Sequence, residues 1–197
     1  MFTAKDVMAL RQRTSAGMME AKKALEETNG DMDKAAELLR VKGIAKADKR
    51  SGKQTSEGAI SSYIHHNGKV GVLLEVNCET DFVARTDDFK NLVREIALHI
   101  ASAAPVAIDK DGVPVEKVDA ERRVAEEQAK ASGKPENIVT RMVEGKVEAY
   151  YKDNCLLYQP WIREPKKSIS DLIKEASAKV GENIQVRRFV RYQMGEE

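Results

Sequence analysis

The dipeptide Asn67-Gly68 lies between two apolar runs, AISSYIHH and KVGVLLEVN. Asn-Gly in this setting is a strong short-range signal for a β-hairpin, because both central turn residues must tolerate positive φ angles. A third run, NIQVRRFVRYQ at residues 183–193, predicts another strand. The three segments together predict a small antiparallel sheet of about three strands.

Helical patterns fill most of the remaining chain and divide it into parts. Residues 1–50 carry three short amphipathic segments, which predict a compact three-helix module. Residues 51–57 are polar and predict a linker. Residues 58–197 then form the core, in which helices pack on the sheet. The predicted fold class is therefore α+β.

Within the core, three helical segments are expected. Asp87 or Asp88 is expected to cap a long helix, because an apolar stripe follows directly. Residues from about 115 to 153 predict a helical hairpin, and a further helix is expected from about 170 to 180. The stretch CLLYQPWIREP between the last two is expected to be irregular.

Composition narrows the function classes. The chain has 197 residues, of which 42% are hydrophobic and 33% are charged, yet its formal net charge is only +1. Such a balance gives no general attraction to nucleic acid or to anionic membranes. Two cysteines cannot build a disulfide framework, and the start MFTAKDVMALRQR lacks a signal-peptide core. A cytoplasmic protein with no membrane or nucleic-acid partner is expected.

The segment NCETDFVAR, residues 77–85, leaves the second apolar run through a cluster of reactive residue types. One interpretation is a thiol enzyme, with Cys78 as the nucleophile and Glu79 or Asp81 assisting a histidine. The three candidate histidines are His65, His66 and His99. The alternative is that Cys78 continues a buried strand, where a cysteine is usually an inert small hydrophobe.

Other kinds of site have weaker signals. His65 and His66 are neighbours on a predicted strand and would point to opposite faces, and no metal-binding motif is present. No phosphate-binding glycine motif is present either, so no metal, cofactor or direct nucleotide site is expected. The basic cluster RRFVR at residues 187–191 could contact RNA phosphates, or could simply be a solvated sheet face.

Three stretches of the chain are informative when taken together: LRQRTSAGMMEAKKALEETNGDMDKAAELLR, VLLEVNCETDFVAR and VGENIQVRRFVRY. They resemble bacterial elongation factor Ts, and they occur in the order typical of that family. The length is similar to that of the short, single-core members. The resemblance implies a guanine-nucleotide exchange factor for elongation factor Tu, without covalent chemistry of its own. It also implies that residues 1–50 form a ubiquitin-associated-like module.

The resemblance further implies which residues meet the partner, in its GDP-bound and nucleotide-free states. The TDFV loop would disturb the partner's Mg²⁺ and phosphate site, and Phe82 would wedge between partner helices. The loop residues are Thr80, Asp81, Phe82 and Val83. Contacts from the N-terminal module would come from Arg11, Met18 and Met19. Some short members form dimers, so the C-terminal strand is a possible pairing edge.

Two simpler interpretations remain open for the apolar residues of this set. Phe82 could anchor its loop in the core, since most phenylalanines are substantially buried. Met18 and Met19 could pack inside the N-terminal module, since methionine is a common gap-filler. Ser15 replaces the glycine usual in the family's TGAGMM segment, which would alter the turn before the second helix.

Overall fold

A computed structural model describes residues 2–14, 16–131 and 133–196 of the chain. Ser15, and with it the effect of its replacement on the turn, lies outside the described residues. The chain divides into two compact units. The first comprises Met1–Ile60, Glu75–Val93 and Asp171–Arg187, and the second comprises Ser61–Leu74, Arg94–Ser170 and Arg188–Glu197. The boundaries expected at residues 50 and 57 stay a prediction.

The first unit begins with three helices, α1 (Ala4–Thr14), α2 (Met18–Glu27) and α3 (Met32–Arg50). Local capping explains where two of them start. Thr3 and Asp6 exchange hydrogen bonds ahead of α1, and the Asp31 carboxylate accepts the backbone N–H groups of Asp33 and Lys34 at the start of α3. The apolar faces of the helices bury one cluster, which comprises Val7, Leu10, Ala21, Ala24, Leu25 and Ala35.

Three strands form the predicted antiparallel sheet, β1 (Glu57–Ile64), β2 (Val70–Cys78) and β5 (Ile184–Gln193), in the order β1-β2-β5. The predicted hairpin is confirmed, but its turn differs from the expected one. Gly68 has a φ of +67°, whereas Asn67 does not have a positive φ. Because the backbone N–H of Gly68 donates to the carbonyl of His65 within a longer loop, one left-handed residue is enough to reverse the chain.

A short helix α4 (Asp81–Ala84) follows β2, and the long helix α5 (Asp87–Ala103) follows α4. The predicted cap of α5 is wrong by one or two residues. The hydroxyl oxygen of Thr86, rather than Asp87 or Asp88, accepts the backbone N–H of Phe89 at 3.3 Å. Both aspartates lie in the first turn instead, where a negative charge is favourable beside the helix N-terminus.

The second unit contains helices α6 (Val115–Ala131) and α7 (Glu136–Asn154), which pack together through Ala125, Ala129 and Val143. The next segment was expected to be irregular. It instead forms a small antiparallel pair of strands, β3 (Pro160–Trp161) and β4 (Glu164–Ser168). The two residues of β3 are too few to produce a recognisable alternating pattern, and β4, with the sequence EPKKS, does not alternate apolar and polar residues.

Helix α8 (Ile169–Val180) closes the set of helices and ends at Gly181, whose φ is +76°. Within the first unit, α8 contacts α3. A Cβ atom added at Gly43 would lie only 3.1 Å from that of Ala178, and Lys174 Nζ lies 2.8 Å from Asp48 Oδ1. No helix in the described part of the chain is both long and apolar enough to span a bilayer.

Candidate functional site

The strand β2 ends at Cys78, whose side chain is fully buried. The Cys78 thiol donates a hydrogen bond to the backbone carbonyl of Thr80 at 3.1 Å. Burial, followed by the negative charge of Glu182, raises the pKa of this thiol. A thiol with a raised pKa stays protonated and is a poor nucleophile. The geometry therefore favours the interpretation of Cys78 as a packing residue that also ties down the start of the next loop.

Glu79 connects three separate segments of the first unit. Its carboxylate accepts hydrogen bonds from the Arg50 guanidinium, with the shortest at 2.8 Å, and from the backbone N–H of Asn183 at 2.7 Å. The bond from Arg50 is the largest cause of the lowered pKa of Glu79, and the bond from Asn183 is the next. Because Arg50 is the last residue of α3, the end of that helix is joined to the residue directly before the TDFV segment.

Thr80 begins the short helix α4 and is held from two sides. Its hydroxyl oxygen accepts the backbone N–H of Val83 at 3.4 Å, as an N-cap residue does. In the other direction, the Glu182 carboxylate accepts both the Thr80 hydroxyl at 2.7 Å and the Thr80 backbone N–H at 3.0 Å. Sequence reasoning missed Arg50, Glu182 and Asn183, because none of them is close in sequence to the loop that they hold.

The helix α4 directs successive side chains to different sides, because neighbouring residues in a helix are about 100° apart. Val83 is 8% exposed and packs inward, whereas Phe82 is 82% exposed. Asp81 is exposed as well and forms an ion pair with Arg85 one turn later, with 2.7 Å between Oδ2 and Nη2. Phe82 is therefore exposed in the free protein, and its interpretation as a core anchor is wrong.

The N-terminal module presents the three residues that the resemblance singled out. Arg11 on α1 is exposed. Met18 and Met19, the first residues of α2, are 44% and 75% exposed. Core packing therefore does not account for either methionine, although whether these residues bind a partner stays a prediction. Flexible, polarizable methionine side chains suit an adaptable contact surface.

Two candidate histidines and the basic cluster have hydrogen-bond partners of their own. His65 Nδ1 lies 2.9 Å from the Tyr63 hydroxyl, and the buried His99 pairs through Nε2 with Gln159. Across residues 2–14, 16–131 and 133–196, no group of three His, Cys, Asp or Glu side chains could hold a metal ion. In the RRFVR cluster, the Arg191 guanidinium is engaged by Glu196 at 2.7 Å and by the Ala101 carbonyl at 3.3 Å.

Comparison with known proteins shows which family the chain belongs to. Residues 3–196 match the family described as Elongation factor TS. The chain is 55% identical to elongation factor Ts of Fervidobacterium nodosum over 194 residues, which cover 98% of each protein. It is 51% identical to the protein of the same name from Thermosipho melanesiensis over the full length of both. The counterpart from Carboxydothermus hydrogenoformans is 52% identical, over all of this chain and 90% of that protein.

The similarity is not confined to the exposed loop, since it spans both compact units and the helices and strands that hold the loop. The identity is above 50% over 98% of the chain or more in the relatives from Fervidobacterium nodosum and Thermosipho melanesiensis. The chain therefore belongs to the elongation factor Ts family of translation elongation factors.

Proposed function

We propose that this protein is a guanine-nucleotide exchange factor that binds elongation factor Tu·GDP, promotes GDP release and leaves the nucleotide-free partner ready for GTP. The observation that carries the proposal is Phe82, a large apolar side chain that is 82% exposed on a helix of four residues. A single exposed phenylalanine on a firmly held loop suits insertion between elements of another protein. No covalent chemistry is required, and the site of action is the cytoplasm.

The energy needed for exchange can be compared with what one side chain supplies. If GDP binds with a Kd of about 1 nM and associates at ~10⁶–10⁷ M⁻¹s⁻¹, it leaves at ~10⁻³–10⁻² s⁻¹. Chain growth runs at roughly 5–20 residues per second. Release at ~10 s⁻¹ thus needs acceleration of about 10³–10⁴-fold, or roughly 4–5.5 kcal/mol.

Burial of one phenylalanine contributes about 1.5–3 kcal/mol, so Phe82 does not act alone. Loss of Mg²⁺ coordination in the partner adds to it, because Mg²⁺ requires near-ideal octahedral geometry and a small shift of its ligands weakens binding strongly. The remaining energy comes from the N-terminal module, where Arg11, Met18 and Met19 present a second exposed surface. Asp81, paired with Arg85, keeps its end of the loop in place.

The test is stopped-flow release of a fluorescent GDP analogue from elongation factor Tu. We expect strong acceleration by the wild-type protein and about 10–100-fold slower release with Phe82→Ala, as the loss of 1.5–3 kcal/mol requires. Val124→Ala is the matched control, because it truncates another exposed hydrophobic residue, on α6. Absence of acceleration by folded wild-type protein would contradict the proposal. Equal rates for wild type and Phe82→Ala would contradict the role of Phe82.

We also propose that the C-terminal strand supports a homodimer. The strand β5 lies at one edge of the sheet, and Tyr192 on it is 72% exposed. An edge strand with exposed apolar side chains favours pairing with another chain. Light scattering should give a mass twice the 21.9 kDa of one chain, and Tyr192→Lys should reduce it to that of a monomer. A wild-type monomer at tens of micromolar would refute this proposal.

A further inference from the structure

The helix α4 carries Phe82 but is too short to be stable by itself. It has four residues, Asp81–Ala84, and the first turn of any helix is costly because several dihedral angles are fixed for one hydrogen bond. The capping bond from Val83 N–H to the Thr80 hydroxyl is long, at 3.4 Å. Something outside the helix therefore has to fix the position of Thr80 if Phe82 is to point in one direction.

The Glu182 carboxylate meets this need. One oxygen accepts the Thr80 hydroxyl at 2.7 Å and the other accepts the Thr80 backbone N–H at 3.0 Å. Hydrogen bonds to an ionised acceptor are shorter and about twice as strong as neutral ones. Two parallel bonds also set an orientation, which one bond cannot do. The first residue of the capping turn is thus fixed in both position and direction.

Glu182 is itself held on both sides. Gly181 before it takes the left-handed conformation that ends α8. Asn183 after it donates its backbone N–H to Glu79 at 2.7 Å, and its amide group to the backbone carbonyls of Ser51 and Lys53 at 3.1 and 2.8 Å. The carboxylate that receives Thr80 therefore projects from a rigid turn.

We propose that Glu182 is a positioning residue for nucleotide exchange, which fixes the N-terminal turn of α4 and through it the direction of Phe82. This inference rests on the proposed function, because it assigns Glu182 a part in that activity. Without the carboxylate, the loop samples several orientations, and the apparent activity falls with the fraction of molecules in the competent one. The fold is retained, because Thr80 is exposed and water replaces its lost partner.

The main experiment compares GDP release with Glu182→Ala, Glu182→Gln and wild type. Glu182→Ala should slow release about tenfold at subsaturating concentration, which corresponds to about 1.4 kcal/mol. Glu182→Gln should retain most of the activity, because its amide oxygen accepts the Thr80 N–H while its amide nitrogen donates to the Thr80 hydroxyl. Glu148→Ala is the matched control, since it removes a glutamate from an ion pair with Lys110 in the second unit.

Two further measurements separate positioning from a general loss of stability. In the Phe82→Ala background, Glu182→Ala should slow release little further, because its effect passes through Phe82. Fully additive effects would overturn the inference. In the free protein, hydrogen exchange at the amides of Val83, Ala84 and Arg85 should be about tenfold faster in Glu182→Ala than in wild type or Glu148→Ala. Unchanged amide exchange would overturn the inference as well.

Amide exchange needs no partner, so the two proposals can fail separately. If the wild-type protein does not accelerate GDP release from elongation factor Tu, the proposed function is wrong. Glu182 then has no role in exchange, whatever the result of amide hydrogen exchange. If the wild-type protein accelerates GDP release and Glu182→Ala accelerates it equally, the proposed function stands and the positioning role is wrong.

Discussion

Replacement of Gln159 by leucine should destabilise the protein more than its position in an irregular segment suggests. Gln159 is buried and uses every polar atom of its side chain. Its amide nitrogen donates to the carbonyls of Asp153 at 2.7 Å and Ala103 at 3.3 Å. The amide oxygen must therefore be the atom that faces His99, and His99 Nε2 must carry the proton that it accepts, at 2.9 Å.

The magnitude follows from what Gln159→Leu leaves behind. The Nε2–H group of the fully buried His99 loses its partner, which costs about 1–3 kcal/mol. Each of the two carbonyls loses a bond with a net value of about 0.5–1.5 kcal/mol. The added leucine offsets part of the loss by burying apolar surface. The expected net loss is about 2–4 kcal/mol, or roughly 5–15 °C in Tm for a chain of this size.

The assay is urea unfolding followed by circular dichroism, with Gln128→Leu as the control. Gln128 is exposed on α6, so its replacement should change the free energy of unfolding by less than about 0.5 kcal/mol. His99→Leu should cost less in the Gln159→Leu background than in wild type, because both polar partners are then gone. A loss for Gln159→Leu of under about 1 kcal/mol would refute the reasoning.

Two buried titratable groups give further predictions. Burial lowers the pKa of His99 in the folded protein, so the unfolded chain binds a proton first as the pH falls. The free energy of unfolding should then decline below about pH 6.5, by at most about 1.4 kcal/mol per pH unit, and should level off below the lowered pKa of His99. Urea titrations at several pH values measure this decline, and His99→Gln should give a flatter profile. Iodoacetamide should label Cys78 only on unfolding. Cys78→Ser keeps a donor for the Thr80 carbonyl and should leave GDP release nearly unchanged, whereas loss of release with the fold intact would revive the thiol interpretation.

Features of the fold that depend on neighbouring residues could be predicted from the sequence. The hairpin follows from Asn67-Gly68, and the start of α3 follows from Asp31, whose carboxylate accepts two nearby N–H groups. The cap of α5 was predicted one or two residues late because Thr86, Asp87 and Asp88 are all good capping residue types. Residue type alone does not rank three such candidates in a row.

The candidate site also combines features that could be predicted from the sequence with features that could not. The burial of Cys78 follows from strand periodicity, whereas the role that we propose for Phe82 came from the resemblance of TDFV to a known family. The bracing of the loop by Arg50, Glu182 and Asn183 could not be predicted, because it joins residues up to 104 positions apart. Composition and periodicity describe a segment and its immediate neighbours, and they carry no information about such distant pairs.

The distance in sequence between Thr80 and Glu182, 102 residues, has a consequence for the newly made protein. A ribosome that adds roughly 5–20 residues per second needs roughly 5–20 s to add Glu182 after it has added Thr80. Throughout that time the nascent chain already contains Phe82 but lacks the carboxylate that holds its helix. The loop is therefore completed only after residue 182 has been made, and a chain that stops before it carries Phe82 without the carboxylate that positions its helix.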